Sequence, residues 1–104
     1  MFKIAQQNPT FRVRVAISQP GKKSAGDIEF EFLYLSKSAV RAMYESIEGK
    51  TDAEVLSEII VNWSGVDEPY SPDALERLID LFPASAMDIH NAFRSELMEA
   101  KRKN

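Results

Sequence analysis

Two stretches near the start of the chain alternate between apolar and polar residues. From Thr10 to Ser18, Phe11, Val13, Val15 and Ile17 fall on one side and Arg12, Arg14, Ala16 and Ser18 on the other. From Asp27 to Leu35, Ile28, Phe30, Phe32 and Tyr34 share a side. Period-2 alternation of this kind predicts two half-buried strands. The Gly- and Pro-containing segment Gln19–Gly26 predicts a mobile turn between them. Matching the apolar faces pairs Ile17 with Ile28, Val15 with Phe30, Val13 with Phe32 and Phe11 with Tyr34, and sets Arg14 opposite Glu31. A lone hairpin is not stable in water, so its apolar face needs a cover. Leu33 and Leu35, on the opposite face, suggest that this face is not wholly solvated.

After Leu35 the period changes to that of a helix. Ser36-Lys37-Ser38 opens a first helix with Val40, Met43, Tyr44 and Ile47 on its apolar side, and Gly49 closes it. Thr51-Asp52-Ala53-Glu54 is a capping box. Behind it Val55, Leu56, Ile59, Ile60 and Trp63 keep helical spacing, which predicts a second helix from about Asp52 to Trp63. Gly65 suits the left-handed position after a helix end. Ser71-Pro72-Asp73 starts a third helix, with a serine cap, a proline in the first turn and an acid at the positive end of the dipole. It runs from about Pro72 to Leu81 with Leu75, Leu78, Ile79 and Phe82 as its stripe. Ser85 is the expected cap of a fourth helix, with Asp88 at the capping-box position. Ala86, Ile89, Phe93, Leu97 and Ala100 form its stripe, Met87 and Met98 flank it, and it extends to about Lys101. The predicted fold is α+β: an N-terminal antiparallel β-hairpin followed by about four α-helices. The expected layout is one domain over 1–104, with a flexible lead-in (1–9), the hairpin (10–35) and a helical body (36–102).

The connector Trp63-Ser64-Gly65-Val66-Asp67-Glu68-Pro69-Tyr70 links the second and third helices in this reading. Trp63 is the only tryptophan, and aromatics of its size usually serve packing first. Val66 and Tyr70 are candidates for a partly exposed partner-binding surface, since aromatics are enriched at binding hot spots. Phe93, Met87 and Met98 are further candidates, methionine being adaptable at contact surfaces. The same side chains also suit an intramolecular core.

Composition narrows the chemistry. The chain has no cysteine, which removes disulfides, thiolate catalysis and cysteine-ligated metals and fits a cytosolic protein. No apolar run approaches the roughly 18 residues that would span a bilayer, and the first nine residues lack the apolar core of a signal peptide. The net charge of −3 is unevenly placed. Residues 1–35 carry five bases against three acids, residues 36–100 five bases against thirteen acids, and Lys101-Arg102-Lys103 adds three bases. An acidic body argues against a nucleic-acid groove, and the terminal cations suit a helix C-terminus. His90 is the only histidine and is expected at a partly exposed surface position. No HExxH, EF-hand, Gly-rich phosphate loop or GxSxG pattern occurs. The reading is therefore no enzyme, no cofactor and no metal site.

With these residues in order, the chain resembles the tail assembly chaperones of long-tailed bacteriophages and their prophage remnants. Phe-Arg-Val-Arg-Val and Ile-Glu-Phe-Glu-Phe strands come first. A Thr-Asp-Ala-Glu-Val-Leu helix then leads to Trp63-Ser64-Gly65-Val66-Asp67 and on to Pro69-Tyr70-Ser71-Pro72-Asp73-Ala74-Leu75. Ala92-Phe93 follows in a last helix, and Lys103-Asn104 ends the chain. The likeness spans roughly residues 10–104, and its most specific part is the Trp-Ser-Gly-Val followed by Tyr-Ser-Pro. The Val66–Tyr70 connector is shorter than in that family, and the hairpin loop carries its own Gly-Lys-Lys insertion. The resemblance implies a non-catalytic protein of the host bacterial cytoplasm that is not retained in the mature virion. It would hold the tape-measure protein soluble and help recruit tail-tube subunits, with room for a homo-oligomer and for a longer frameshifted form. No nucleic acid or membrane partner is implied. The competing reading is a small acidic prophage-encoded protein, DNA-mimic-like, that binds and inhibits a host protein.

Overall fold

The computed structural model describes residues 1–5 and 8–99. Two long strands lead, β1 (Thr10–Gln19) and β2 (Lys22–Leu33). They are followed by α1 (Lys37–Glu45), α2 (Asp52–Ser57), a third strand β3 (Ile60–Ser64), α3 (Pro72–Leu81) and α4 (Ser85–Arg94). A single π-helical turn, Ser95–Glu99, continues α4. The predicted α+β hairpin-plus-helices plan holds, with one strand added. The expected run to Lys101 and the terminal cations lie outside the described residues.

The hairpin register differs from the face-matching expectation by two residues. Phe11 pairs with Phe32, Val13 with Phe30, Val15 with Ile28 and Ile17 with Gly26. Arg14 therefore stands opposite Glu29, and Arg12 opposite Glu31. A two-residue shift leaves every side chain on its predicted face, so the apolar pattern cannot tell the two registers apart. The turn decides. Pro20-Gly21, with Gly21 at φ 78°, has the order of a tight type II turn. Gln19 consequently pairs with Lys22, and the extra residues of β2 are taken up in an irregularity before Gly26. The segment expected as a mobile turn is mostly strand. Arg12 reaches both Glu29 (3.6 Å) and Glu31 (3.9 Å) on the polar face.

The larger correction is β3. The second helix stops at Ser57, and Ile60–Ser64 pairs antiparallel with β2, giving the order β1-β2-β3. β-Branched Ile60 and Val61 favour extended backbone, and β2 needs a partner for its second edge. All five residues of the predicted stripe are buried nonetheless. Phe32 pairs with Ile60 and Glu31 with Asn62, so Val61 is a bulge residue. That bulge separates the inward-facing Ile60 and Trp63 by three positions, the same interval a helix would use.

The helix starts follow the sequence more closely. Ser36 and Ser71 accept from the amides of Ala39 and Ala74 (3.1 and 3.0 Å). Thr51 and Glu54 form the reciprocal capping box, and the Thr51 hydrogen bonds hold the Glu54 carboxyl below its ordinary range. α1 ends at Glu45, short of Gly49. Ser85 does not cap α4. Ala84 takes the cap position without a side-chain bond, and Ser85 Oγ is buried with no partner among the described residues. Asp88 is drawn away from the cap by β1, accepting from the Ser18 amide (2.7 Å) and hydroxyl (2.9 Å).

One face of the sheet is buried. Phe30, Phe32 and Phe93 are fully enclosed, with Trp63 7% exposed. Phe93 sits 5.2 Å from Phe32 and 5.8 Å from Phe11, ring centre to centre. α4 lies against β1, α2 packs on α3, and both α2 and α3 touch α4. The helices thus provide the cover that the hairpin requires.

Trp63→Ala is expected to cost about 3–5 kcal/mol in urea unfolding, and a loss below about 1 kcal/mol would remove Trp63 from the core. Asp88→Ala should cost about 1–2 kcal/mol, because it leaves the Ser18 amide and hydroxyl without their charged acceptor. An unchanged midpoint would mean that water replaces the carboxylate without loss.

Candidate interaction surface

Trp63 organises the connector that follows β3. Its indole N–H donates to the Glu68 carbonyl (2.9 Å), and its ring meets Phe30 on one side and Tyr70 on the other, edge-on at 6.1 and 5.2 Å. Glu68 is also ion-paired with Arg77 of α3. The connector is therefore held at both ends. Gly65, at φ 88°, lets the chain leave the sheet there rather than closing a helix as expected.

The five candidate contact residues have different fates. Val66 is half-buried and lines a groove of about 400 Å³ between β2, the connector and α3. Tyr70 is half-buried against Trp63, and burial raises its hydroxyl pKa. Met87 is exposed on α4. Met98 is exposed in the π-helical turn and, with Tyr34, Leu35 and Leu97, lines a second opening of about 340 Å³. Phe93 is fully buried and has no surface to offer in this fold, since its place on the α4 stripe turns it onto Phe11 and Phe32. Val66 and Tyr70 share the connector, and Met87 and Phe93 share α4 but differ in exposure.

The groove residues that were not legible beforehand include Asp27, Ile28, Leu78 and Phe82. They come from β2 and from the far end of α3, some fifty positions apart. No local spacing pattern could have joined them.

His90 is half-buried, in keeping with the partly exposed position expected. The Tyr44 hydroxyl lies 2.8 Å from its Nδ1, and Arg94 sits over the Tyr44 ring at 5.5 Å. Burial lowers the His90 pKa, with Asp52 raising it and Arg94 lowering it further. The Tyr44 pKa is raised by burial and lowered by Arg94. The Tyr44–His90 hydrogen bond bridges α1 and α4, and the imidazole tautomer sets which partner donates. No group of three potential metal ligands occurs among the described residues. No helix there is long and apolar enough to cross a membrane.

A family model described as phage tail assembly chaperone matches residues 1–104. The chain belongs to that family. Comparisons with the curated proteins and with the solved structures find no match. In this tail assembly chaperone, the features that stand out among the described residues are two surface openings with apolar walls and a half-buried His–Tyr pair.

The pair makes stability depend on pH. Above the ordinary histidine value of 6.5, His90 is neutral in both folded and unfolded chains. Below it, the unfolded chain takes up a proton that the folded chain resists, so stability falls as pH drops through 6.5 toward the lower folded value. Urea midpoints from pH 7.5 to 5.5 should decline more steeply for the native chain than for His90→Gln. Parallel declines would show that His90 is not the group responsible.

Proposed function

We propose that this chaperone acts without catalysis, holding the tape-measure protein soluble and helping recruit tail-tube subunits around it during tail morphogenesis. The reading places it in the host bacterial cytoplasm, encoded by a long-tailed phage or prophage and absent from the finished virion. The family match across the chain carries it. The surface supports it: apolar openings at Val66 and at Met98 interrupt an acidic exterior, which suits contact with an aggregation-prone partner while keeping the holder dispersed. Tyr70, Met87 and Met98 remain contact candidates in this reading.

The inhibitor alternative draws on one feature, a cleft of about 520 Å³ between α2 and α3 lined by Asp52, Asp73, Glu76 and Asp80. Asp52 and Asp73 are first-turn acids that serve their own helices, and Arg77 stands in the same cleft. Ordinary helix electrostatics therefore account for it.

Co-expression with a tape-measure protein from the same phage should raise the soluble yield of that protein, measured by fractionation of the lysate. An unchanged soluble fraction would remove the holdase role.

A further inference from the structure

α1 is the least firmly attached helix of the body. α2, α3 and α4 pack on one another and α4 lies on β1, whereas α1 has no comparably close partner. Val40 and Met43 are its buried residues, 5% and 7% exposed, with Ala39 and Tyr44 half-buried beside them. Ile47, expected on the same stripe, is exposed. Openings undercut the helix on two sides. One of about 380 Å³ is lined by Leu35, Ala39, Ala42 and Met43. The other is the opening at Met98, which reaches Leu35, Ser36 and Lys37.

The sequence of α1 does little to keep it helical by itself. Its nine residues fall short of the roughly 12–15 that an isolated helix needs in water. Ser36 caps it, but Lys37 stands at the positive end of the dipole and Glu45 at the negative end, each the unfavourable sign. Every residue from Glu45 to Asp52 is exposed, so the segment that leads on to α2 adds no anchor. Lys37, Arg41 and Glu45 join no ion pair among the described residues. The 2.8 Å bond between the Tyr44 hydroxyl and His90 Nδ1 ties the helix to α4, and Arg94 on the same face of α4 stands over the Tyr44 ring, where a cation is attracted to the aromatic face. An element with two apolar anchors and one polar tie is of the kind that opens locally, below the cost of global unfolding.

We propose that α1 is a detachable strap: it leaves the body as one unit while the sheet and the other helices stay folded, and Tyr44, bonded to His90 beneath Arg94, is the clasp that closes it. Opening carries Val40 and Met43 away and uncovers the Leu35 side of the core, so that the chain holds apolar surface in reserve under its own helix. The device belongs to the fold and stands whether or not the chaperone reading does.

Amide hydrogen exchange of the intact chain, followed residue by residue at increasing urea, tests this. After correction for intrinsic rates, the amides of residues 40–45 are expected to exchange faster than those of Phe30 and Phe32 by about tenfold or more, and to share one urea dependence, shallower than that of β2. Ile28→Val, a mild trim within β2, should speed the slowest β2 amides by about three- to tenfold and leave those of α1 unchanged. Tyr44→Phe, which keeps the ring and removes the hydroxyl, should speed the α1 amides by about three- to tenfold. If the α1 amides are as protected as those of β2, or follow them in Ile28→Val, the helix opens only when the whole chain unfolds and the strap does not exist. Amides that exchange independently, with no common urea dependence, would reduce the opening to fraying and overturn it too. Unchanged α1 exchange in Tyr44→Phe would overturn the clasp.

Discussion

The structure depends on burying the inner face of β2. Phe30 and Phe32 are adjacent on that face and wholly enclosed, 5.7 Å apart. Each fully buried ring contributes roughly 1.5–3 kcal/mol relative to an exposed one. Three other elements approach them. Phe11 from β1 and Phe93 from α4 meet Phe32, and Trp63 from β3 meets Phe30. Because β2 is the middle strand, its rings must be covered by helices while both its backbone edges are filled by neighbours. That double demand explains why a five-residue segment pairs with β2 instead of lengthening α2.

What could be read from the sequence follows from this geometry. The alternation in β1 and β2 reports burial directly, so the faces were legible. The register was not, because a two-residue slip preserves alternation and only the Pro20-Gly21 turn distinguishes the two. The buried set Val55, Leu56, Ile59, Ile60 and Trp63 was legible, but its conformation was not. A bulge at Val61 gives a strand the spacing of a helix, and the β-branched run Ile59-Ile60-Val61 was the available local cue. Ser36, Thr51 and Ser71 cap as their local sequences require. Ser85 and Asp88 do not, because a long-range bond to Ser18 outweighs a local cap. The candidate surface was half legible. Val66 and Tyr70 sit in a connector marked by its turn residues, whereas the rest of the groove exists only once β2 and α3 are brought together.

The groove also ties the contact surface to the core. Trp63 holds the Glu68 carbonyl on one side of Val66, and Gly65 holds the close pass to Asp27 on the other. The connector is thus positioned by the residue most central to the β3 side of the core. A surface built in this way is available before any partner arrives and does not have to be ordered on contact.

The two outer edges of the sheet are finished differently from its middle. At β3 the Trp63 amide is taken by the side chain of Asn62 (2.9 Å). At β1 the Ser18 amide is taken by Asp88, and Arg12 and Arg14 put two exposed charges on the polar side of that strand. An open strand edge is a template on which another chain can add itself, and charged side chains are a common guard against it. In a member of a chaperone family the guard has a particular use. A molecule that keeps company with sticky, half-assembled chains has to avoid becoming the seed on which they stack, and a few polar side chains at its borders serve that end.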